Sequence, residues 1–214
     1  MSESNQQRVG LFGGTFDPVH FGHLRPALEL AETYQLNTLH LLPNHRPAHR
    51  DAPTASTGQR IDMLNLAVEN VPLLQVDARE ALRDKASYTY DTLVEYTNDY
   101  PNASLVFFMG MDAFSQFESW YRWQDILTLA NLVIVDRPNA KLSDWALQLI
   151  EQQTRVAGKH IGEARAGVIE RCSVTQLAIS ATNIRKHCHA NQQIDFLVPE
   201  RVKQYIVQQG LYKR

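Results

Sequence analysis

Five short apolar runs, Val9 to Phe12, Thr38 to Leu42, Leu73 to Val76, Leu105 to Met109 and Leu132 to Val135, recur along the chain with helically spaced segments between them. Within a run such as Leu105-Val106-Phe107-Phe108-Met109, no polar residue alternates with the apolar ones. A strand of that kind must be covered on both faces, which is what crossover helices do to a parallel sheet. The first intervening segment supplies one such helix, with Leu24, Ala27, Leu28 and Ala31 spaced along a single face. Strand and helix thus alternate, which predicts an α/β fold with a doubly wound parallel sheet.

A sixth strand is expected around Val168 and Ile169, after a polar loop at Lys159 to Gly167, and a last helix over about Glu200 to Gln209, behind Pro199 and ahead of Gly210. The expectation is a single Rossmann-like domain over 1–214: a sheet of five to six strands with flanking helices, a polar tail at 1–8, and a small helical C-terminal portion from about 179. A chain of 214 residues that is 44% hydrophobic can bury such a core unaided. The net charge of -2 argues against broad attraction to nucleic acid or to an acidic membrane. Cys172 and Cys188 belong to no CxxC pair and are expected as buried thiols in a reducing compartment. With a polar N-terminus and no run of about 18 apolar residues, the expected location is cytoplasmic.

The chemistry is concentrated directly after the first apolar run, in Gly13-Gly14-Thr15-Phe16-Asp17-Pro18-Val19-His20-Phe21-Gly22-His23. Glycines allow a tight turn and close approach of backbone to ligand. His20 and His23, three apart, present imidazoles on one side of the first turn of a helix, whose free N–H groups carry roughly half a positive charge. Such a design suits a phosphate. A second polar element, Ile179-Ser180-Ala181-Thr182-Asn183-Ile184-Arg185, offers hydroxyls at Ser180 and Thr182 to cap amides or donate to phosphate oxygens, and a charged fork at Arg185. No GxxxxGK[ST] or GxGxxG element accounts for the glycines. The aperiodic stretch Pro43 to Gly58, with three prolines, two histidines and two arginines, has the length of a binding loop. His40 reads as a satisfied sheet histidine, and His45 and His49, taken together with His20 and His23, lack an HExxH or facing carboxylate arrangement, so no metal site is expected.

GGTFDPVHFGH resembles the signature of the nucleotidylyltransferase superfamily, and Ile179 to Arg185 resembles its ISSTxIR element, with Ala181 where Ser is common. Between them the chain is similar, from about residue 9 to Tyr212, to the bacterial nicotinate-nucleotide adenylyltransferases. Pro43, Asn44, Pro47 and His49 resemble that branch's PNxxPPH loop; Ser87, Tyr88 and Thr89 its SYT element; Gly110, Asp112, Trp120, Tyr121 and Arg137 its GxD, WY and RP elements.

The resemblance implies transfer of AMP from ATP, carried with Mg²⁺, to nicotinate mononucleotide, releasing pyrophosphate. It assigns catalysis to His20, His23 and Arg185, and ATP binding to Gly13, Gly14, Thr15, Phe16, His20, His23, Gly110, Asp112, Ile179, Ser180, Thr182 and Arg185. The mononucleotide falls to Asn44, His49, Ser87, Tyr88, Thr89, Trp120, Tyr121 and Arg137, with Trp120 stacking on the pyridine while Trp123 and Trp145 pack internally. The partners implied are these small molecules, without nucleic acid or membrane, in a monomer or a homo-oligomer. The rival acceptors are nicotinamide mononucleotide and phosphopantetheine. An ATP sensor would be expected to lack one histidine or Arg185, and a class I aminoacyl-tRNA synthetase-like protein to carry a KMSKS-type lysine motif; neither holds here.

Overall fold

The computed structural model describes residues 6–44, 53–83, 87–136, 142–157 and 160–213. Six strands form one sheet: β1 (Arg8–Gly14), β2 (Thr38–Pro43), β3 (Leu74–Val76), β4 (Ser104–Gly110), β5 (Asn131–Val135) and β6 (Ile169–Cys172), in the order β3-β2-β1-β4-β5-β6. The pairs β1/β4, β4/β5 and β5/β6 are parallel, with Leu11 opposite Phe107 and Phe107 opposite Leu132. Every residue of β2 and all of β4 except Gly110 are buried, as runs without polar alternation require. The α/β doubly wound reading therefore holds.

The helices are α1 (Phe21–Thr33), α2 (Thr57–Val68), α3 (Thr89–Asp99), α4 (Met111–Phe114), α5 (Trp123–Leu129), α6 (Asp144–Ala157), α7 (Ala181–His189) and α8 (Glu200–Gln208). Helix α2 starts earlier than the aperiodic stretch suggested and takes in Gly58. A capping box causes this: the Ser56 hydroxyl accepts from the Gln59 amide, and the Gln59 side chain accepts from the Ser56 amide. Among the described residues no helix is long and apolar enough to cross a membrane.

The chain divides into two compact units, one formed by Met1–Phe12, Leu30–Leu39 and Tyr88–Val174, the other by Gly13–Glu29, His40–Ser87 and Thr175–Arg214. In the first, the ring of Phe117 stacks on Phe114 at 5.6 Å and meets Trp123 edge-on at 5.8 Å, and Trp123 meets Trp145 edge-on at 5.3 Å. Both of those tryptophans are therefore packing residues. A side chain on Gly10 would come within 2.4 Å of Leu36 and 3.0 Å of Phe108, so β1 admits none there. In the second unit α2 buries Met63, Leu64 and Val68, α8 buries Val202 and Ile206, and Tyr205 donates to Asp62 at 2.7 Å.

Cys172 and Cys188 are free thiols, but half-buried where full burial was expected. Their places explain it: Cys172 lies on the edge strand β6, and Cys188 in the last turn of α7.

One fully buried amide organises the turns of the first unit. Asn131 donates to Ser104 Oγ at 2.9 Å and to the Ala164 carbonyl at 3.0 Å, and accepts from the Val168 amide at 3.0 Å. Asn131→Ala leaves these groups buried without partners and should lower stability by about 2–3 kcal/mol, measured as the shift in the urea unfolding curve; an unchanged curve would show the amide to be dispensable.

Candidate functional site

The second unit carries the glycine-histidine segment. Gly14 lies under the ring of Phe16, where a Cβ would come within 2.8 Å, whereas nothing lies within 4 Å of a Cβ on Gly13. Phe16 adopts φ 51° and is 1% exposed, and its ring supports His23 edge-on at 5.1 Å. The imidazoles of His20 and His23 stack at 3.7 Å with 26° between their planes. Burial lowers the His20 pKa to about 4, and burial together with the neighbouring His20 holds His23 well below the usual histidine range. Both rings are thus neutral at pH 7. The Nδ1 atom of each is buried without a hydrogen-bond partner. A neutral imidazole carries one N–H and one lone pair, so each ring can offer a ligand a donor as well as an acceptor.

At the start of α1 the His20 carbonyl accepts from the amides of His23 at 2.8 Å and Leu24 at 3.1 Å. The Phe21 amide, at the first position of α1, donates to the Leu197 carbonyl at 3.1 Å. A Cβ on Gly22 would come 2.9 Å from His20 Nδ1 and 3.1 Å from the Ile179 carbonyl. This glycine therefore lets the histidine turn lie directly against the second polar element.

There Ser180 is the N-cap of α7, its hydroxyl accepting from the Asn183 amide at 3.2 Å. Arg185 donates through Nη1 to the Asp17 carbonyl at 2.7 Å and through Nη2 to Thr182 Oγ1 at 3.4 Å. Ser180 and Thr182 are exposed and Ile179 and Arg185 are half-buried, so the element presents hydroxyls and a guanidinium at a helix start.

A fully buried cation supports this arrangement. Arg60, in α2, donates from Nη1 to the Thr15 carbonyl and from Nη2 to the Asn44 carbonyl, both at 2.8 Å, while the Asn44 amide donates to the Gly14 carbonyl at 3.0 Å. Burial lowers the Arg60 pKa and the Asp17 carboxylate opposes that shift. The Ser87 hydroxyl donates to the Glu80 carbonyl at 3.0 Å.

In the first unit, Tyr88 precedes α3 without supplying a side-chain cap, so the amides of the first turn, beginning at Thr89, meet no capping side chain. Trp120 is half-buried and wedged edge-on between Phe107 at 6.2 Å and Phe117 at 5.6 Å, its own amide donating to the Phe117 carbonyl. Tyr121 is exposed and lies 4.8 Å from the Tyr88 ring. Arg122, with φ 55°, holds its guanidinium 3.9 Å over the Tyr90 ring and pairs with Asp125 at 2.5 Å. Gly110 caps α4, with Asp112 exposed in its first turn.

The cytidylyltransferase-like family model matches residues 11–187. A Cellvibrio japonicus protein carrying the name "Probable nicotinate-nucleotide adenylyltransferase" is 46% identical over 207 residues, 96% of this chain and 98% of its own length; one of the same name from Psychromonas ingrahamii is 41% identical over 97% and 98%. The chain belongs to the nicotinate-nucleotide adenylyltransferases of the cytidylyltransferase-like family. Its fold is also that of the Plasmodium falciparum nicotinic acid mononucleotide adenylyltransferase solved with APC, at TM-score 0.73 and 17% identity over 96% of this chain and 97% of the other.

Of the residues expected to bind ATP in this family, the second unit brings together Gly13, Gly14, Thr15, Phe16, His20, His23, Ile179, Ser180, Thr182 and Arg185. Gly110 and Asp112 belong to the first unit, as do Tyr88, Thr89, Trp120 and Tyr121 of the mononucleotide set; Asn44 and Ser87 belong to the second. His49 and Arg137 lie outside the described residues. Sequence reasoning missed Arg60, Arg122 and the anchoring role of Asp17. Asp17 stood within the signature, but Arg60 and Arg122 carried no local signal.

Gly22→Ala should lower the urea midpoint, because the methyl group must push back the His20 ring and the Ile179 carbonyl, a cost that alanine's helix preference of about 1 kcal/mol only partly offsets. Amide and imidazole NMR shifts at both residues measure that displacement; an unperturbed spectrum would show that the contact tolerates a methyl group.

Proposed function

We propose that the protein transfers the adenylyl group of MgATP to nicotinate mononucleotide, forming nicotinate adenine dinucleotide and pyrophosphate. The observation that carries this reading is the stacked pair of neutral imidazoles, His20 and His23, packed through Gly22 against the Ile179 to Arg185 element. The attacking phosphate is already anionic, so no general base or covalent nucleophile is required; the protein positions two anions and stabilises the charge gathering on the transferred phosphoryl oxygens. His20 and His23 donate N–H bonds to those oxygens. Arg185 supplies fixed positive charge, and Thr182 and the start of α7 add hydroxyl and amide donors. Mg²⁺ carried in with ATP would supply further neutralisation of phosphate charge and would need few protein ligands.

Trp120 receives the pyridine ring, and the uncapped first turn of α3 with Tyr88, Thr89 and Tyr121 receives the nicotinate carboxylate. A flat acid is matched by an aromatic face and oriented amides. Gly110 and Asp112 serve ATP in the same reading, and Asn44 and Ser87 the mononucleotide. Cysteines held outside any disulfide, Cys172 and Cys188, accord with a cytoplasmic enzyme.

Purified protein incubated with MgATP and nicotinate mononucleotide, nicotinamide mononucleotide or phosphopantetheine in turn should release pyrophosphate fastest with the nicotinate acceptor, and His23→Ala should lower that rate about 10²–10³-fold. Preference for another acceptor would reassign the substrate, and a fully active His23→Ala would remove the histidine from the chemistry.

A bound polyanion favours protonated imidazole, so it raises the low His20 pKa. Between pH 4 and pH 6.5, binding of ATP should therefore take up more protons in the wild type than in His20→Gln, with the difference fading by pH 8. Calorimetry in buffers of different ionisation enthalpy measures it. Equal uptake by both proteins would place the ring away from the phosphates.

A further inference from the structure

Four segments of the second unit meet at one buried carboxylate. Asp17 is 3% exposed; its Oδ2 accepts from the Thr54 amide at 2.7 Å, and its Oδ1 accepts from the Ala55 amide at 3.1 Å and from the Tyr212 hydroxyl at 2.7 Å. Arg185 comes to 3.8 Å from Oδ2, yet its short bond, at 2.7 Å, goes to the Asp17 carbonyl. The guanidinium thus stands beside a carboxylate without closing the bidentate pair that the two groups favour.

Tyr212 is what the carboxylate has in its place. It is 7% exposed and held at φ 62°, a backbone conformation uncommon for a bulky residue, which the surrounding packing must impose. From there its hydroxyl reaches Asp17. Burial and the carboxylate both raise the hydroxyl's pKa, so it remains a proton donor. Tyr212 also lines a cavity of about 380 Å³ together with Thr54, Thr182, Arg185, Lys186 and Lys213. The cavity's cations, and the Thr182 and Arg185 of the second signature, are what an anionic ligand needs, and Arg185 serves it only while its N–H groups are not drawn onto Asp17.

We propose that Tyr212 is a positioning residue for Arg185: by donating its hydroxyl to Asp17, it satisfies the carboxylate and keeps the guanidinium turned toward bound phosphate. Without that hydroxyl, Oδ1 loses the side-chain donor that Tyr212 supplies, and Arg185, already 3.8 Å from Oδ2 of the same carboxylate, is a cation placed to take up the freed charge. The proposal rests on the adenylyl-transfer reading for its kinetic consequence, but not for its effect on anion affinity.

The test therefore measures both, with calorimetric binding of inorganic triphosphate alongside turnover. Tyr212→Phe should lower triphosphate affinity and kcat about tenfold while leaving the KM for nicotinate mononucleotide within twofold of wild type. In an Arg185→Ala background the same substitution should change neither quantity, because the group it acts through is gone. Adding Asp17→Asn to Tyr212→Phe removes the charge that captures Arg185 and should restore most of the affinity. A merely structural tyrosine would lower the urea midpoint with no such dependence on Arg185 or rescue. Wild-type affinity in Tyr212→Phe, or equal losses with and without Arg185, overturns the proposal. If Tyr212→Phe does not fold, the double variant with Asp17→Asn decides alone: affinity within threefold of wild type supports the positioning role, and a larger loss refutes it. A wild-type protein that binds triphosphate but turns over no nicotinate mononucleotide sinks the adenylyl-transfer reading instead, and the affinity comparison still decides the role of Tyr212.

Discussion

Two buried opposite charges hold the loop that follows β1, and the rest of the second unit depends on them. From Thr15 to His20 the chain has left β1 and not yet entered α1, so its carbonyls and amides must find partners elsewhere. Arg60 takes the carbonyls of Thr15 and Asn44, tying the ends of β1 and β2 to α2. Asp17 takes the amides of Thr54 and Ala55 just before the same helix. A buried ion is costly unless its hydrogen-bonding capacity is filled, and here each ion is filled largely by backbone groups of a segment that needs ordering. The desolvation cost of the charges is thereby turned into a fixed loop geometry.

On that frame sit two histidines whose chemistry is set by burial. Stacked at 3.7 Å, they cannot both carry charge cheaply, and burial moves both toward the neutral form. In the proposed reaction two neutral N–H donors give directed hydrogen bonds to a phosphate without the cost of holding two like charges side by side. The positive charge comes instead from the Arg185 guanidinium. Division of labour between neutral donors and one fixed cation suits a reaction in which anion meets anion.

The first unit solves a different problem. Trp120 is held by Phe107 and Phe117 on its edges, an arrangement that restrains the indole in a single orientation. Arg122 sits over Tyr90 and pairs with Asp125, which restrains a cation beside the exposed ring of Tyr121. The polar anchor at Asn131 holds the turn before β6 to the starts of β4 and β5, so strand ends rather than flexible side chains set the backbone of this unit.

The amino-acid sequence by itself determined the strand-helix alternation, the two phosphate elements and the pairing of Trp120 with Tyr121, because each is written within a dozen consecutive residues. The apolar runs specify strands covered on both faces, and the helix starts at Ala181 and Glu200 follow from local capping and proline signals. Tertiary structure alone decided that the Phe21 amide goes to Leu197, that Arg60 is fully buried, and that Tyr212 meets Asp17 across 195 positions of chain. A hydrogen bond between residues so far apart leaves no periodicity behind. An arginine in an amphipathic helix reads as a solvated charge until the fold removes its water. The protonation of His20 and His23 was hidden for the same reason: their residue types name an acid-base group, but only packing fixes how much solvent, and hence how much charge, each can hold.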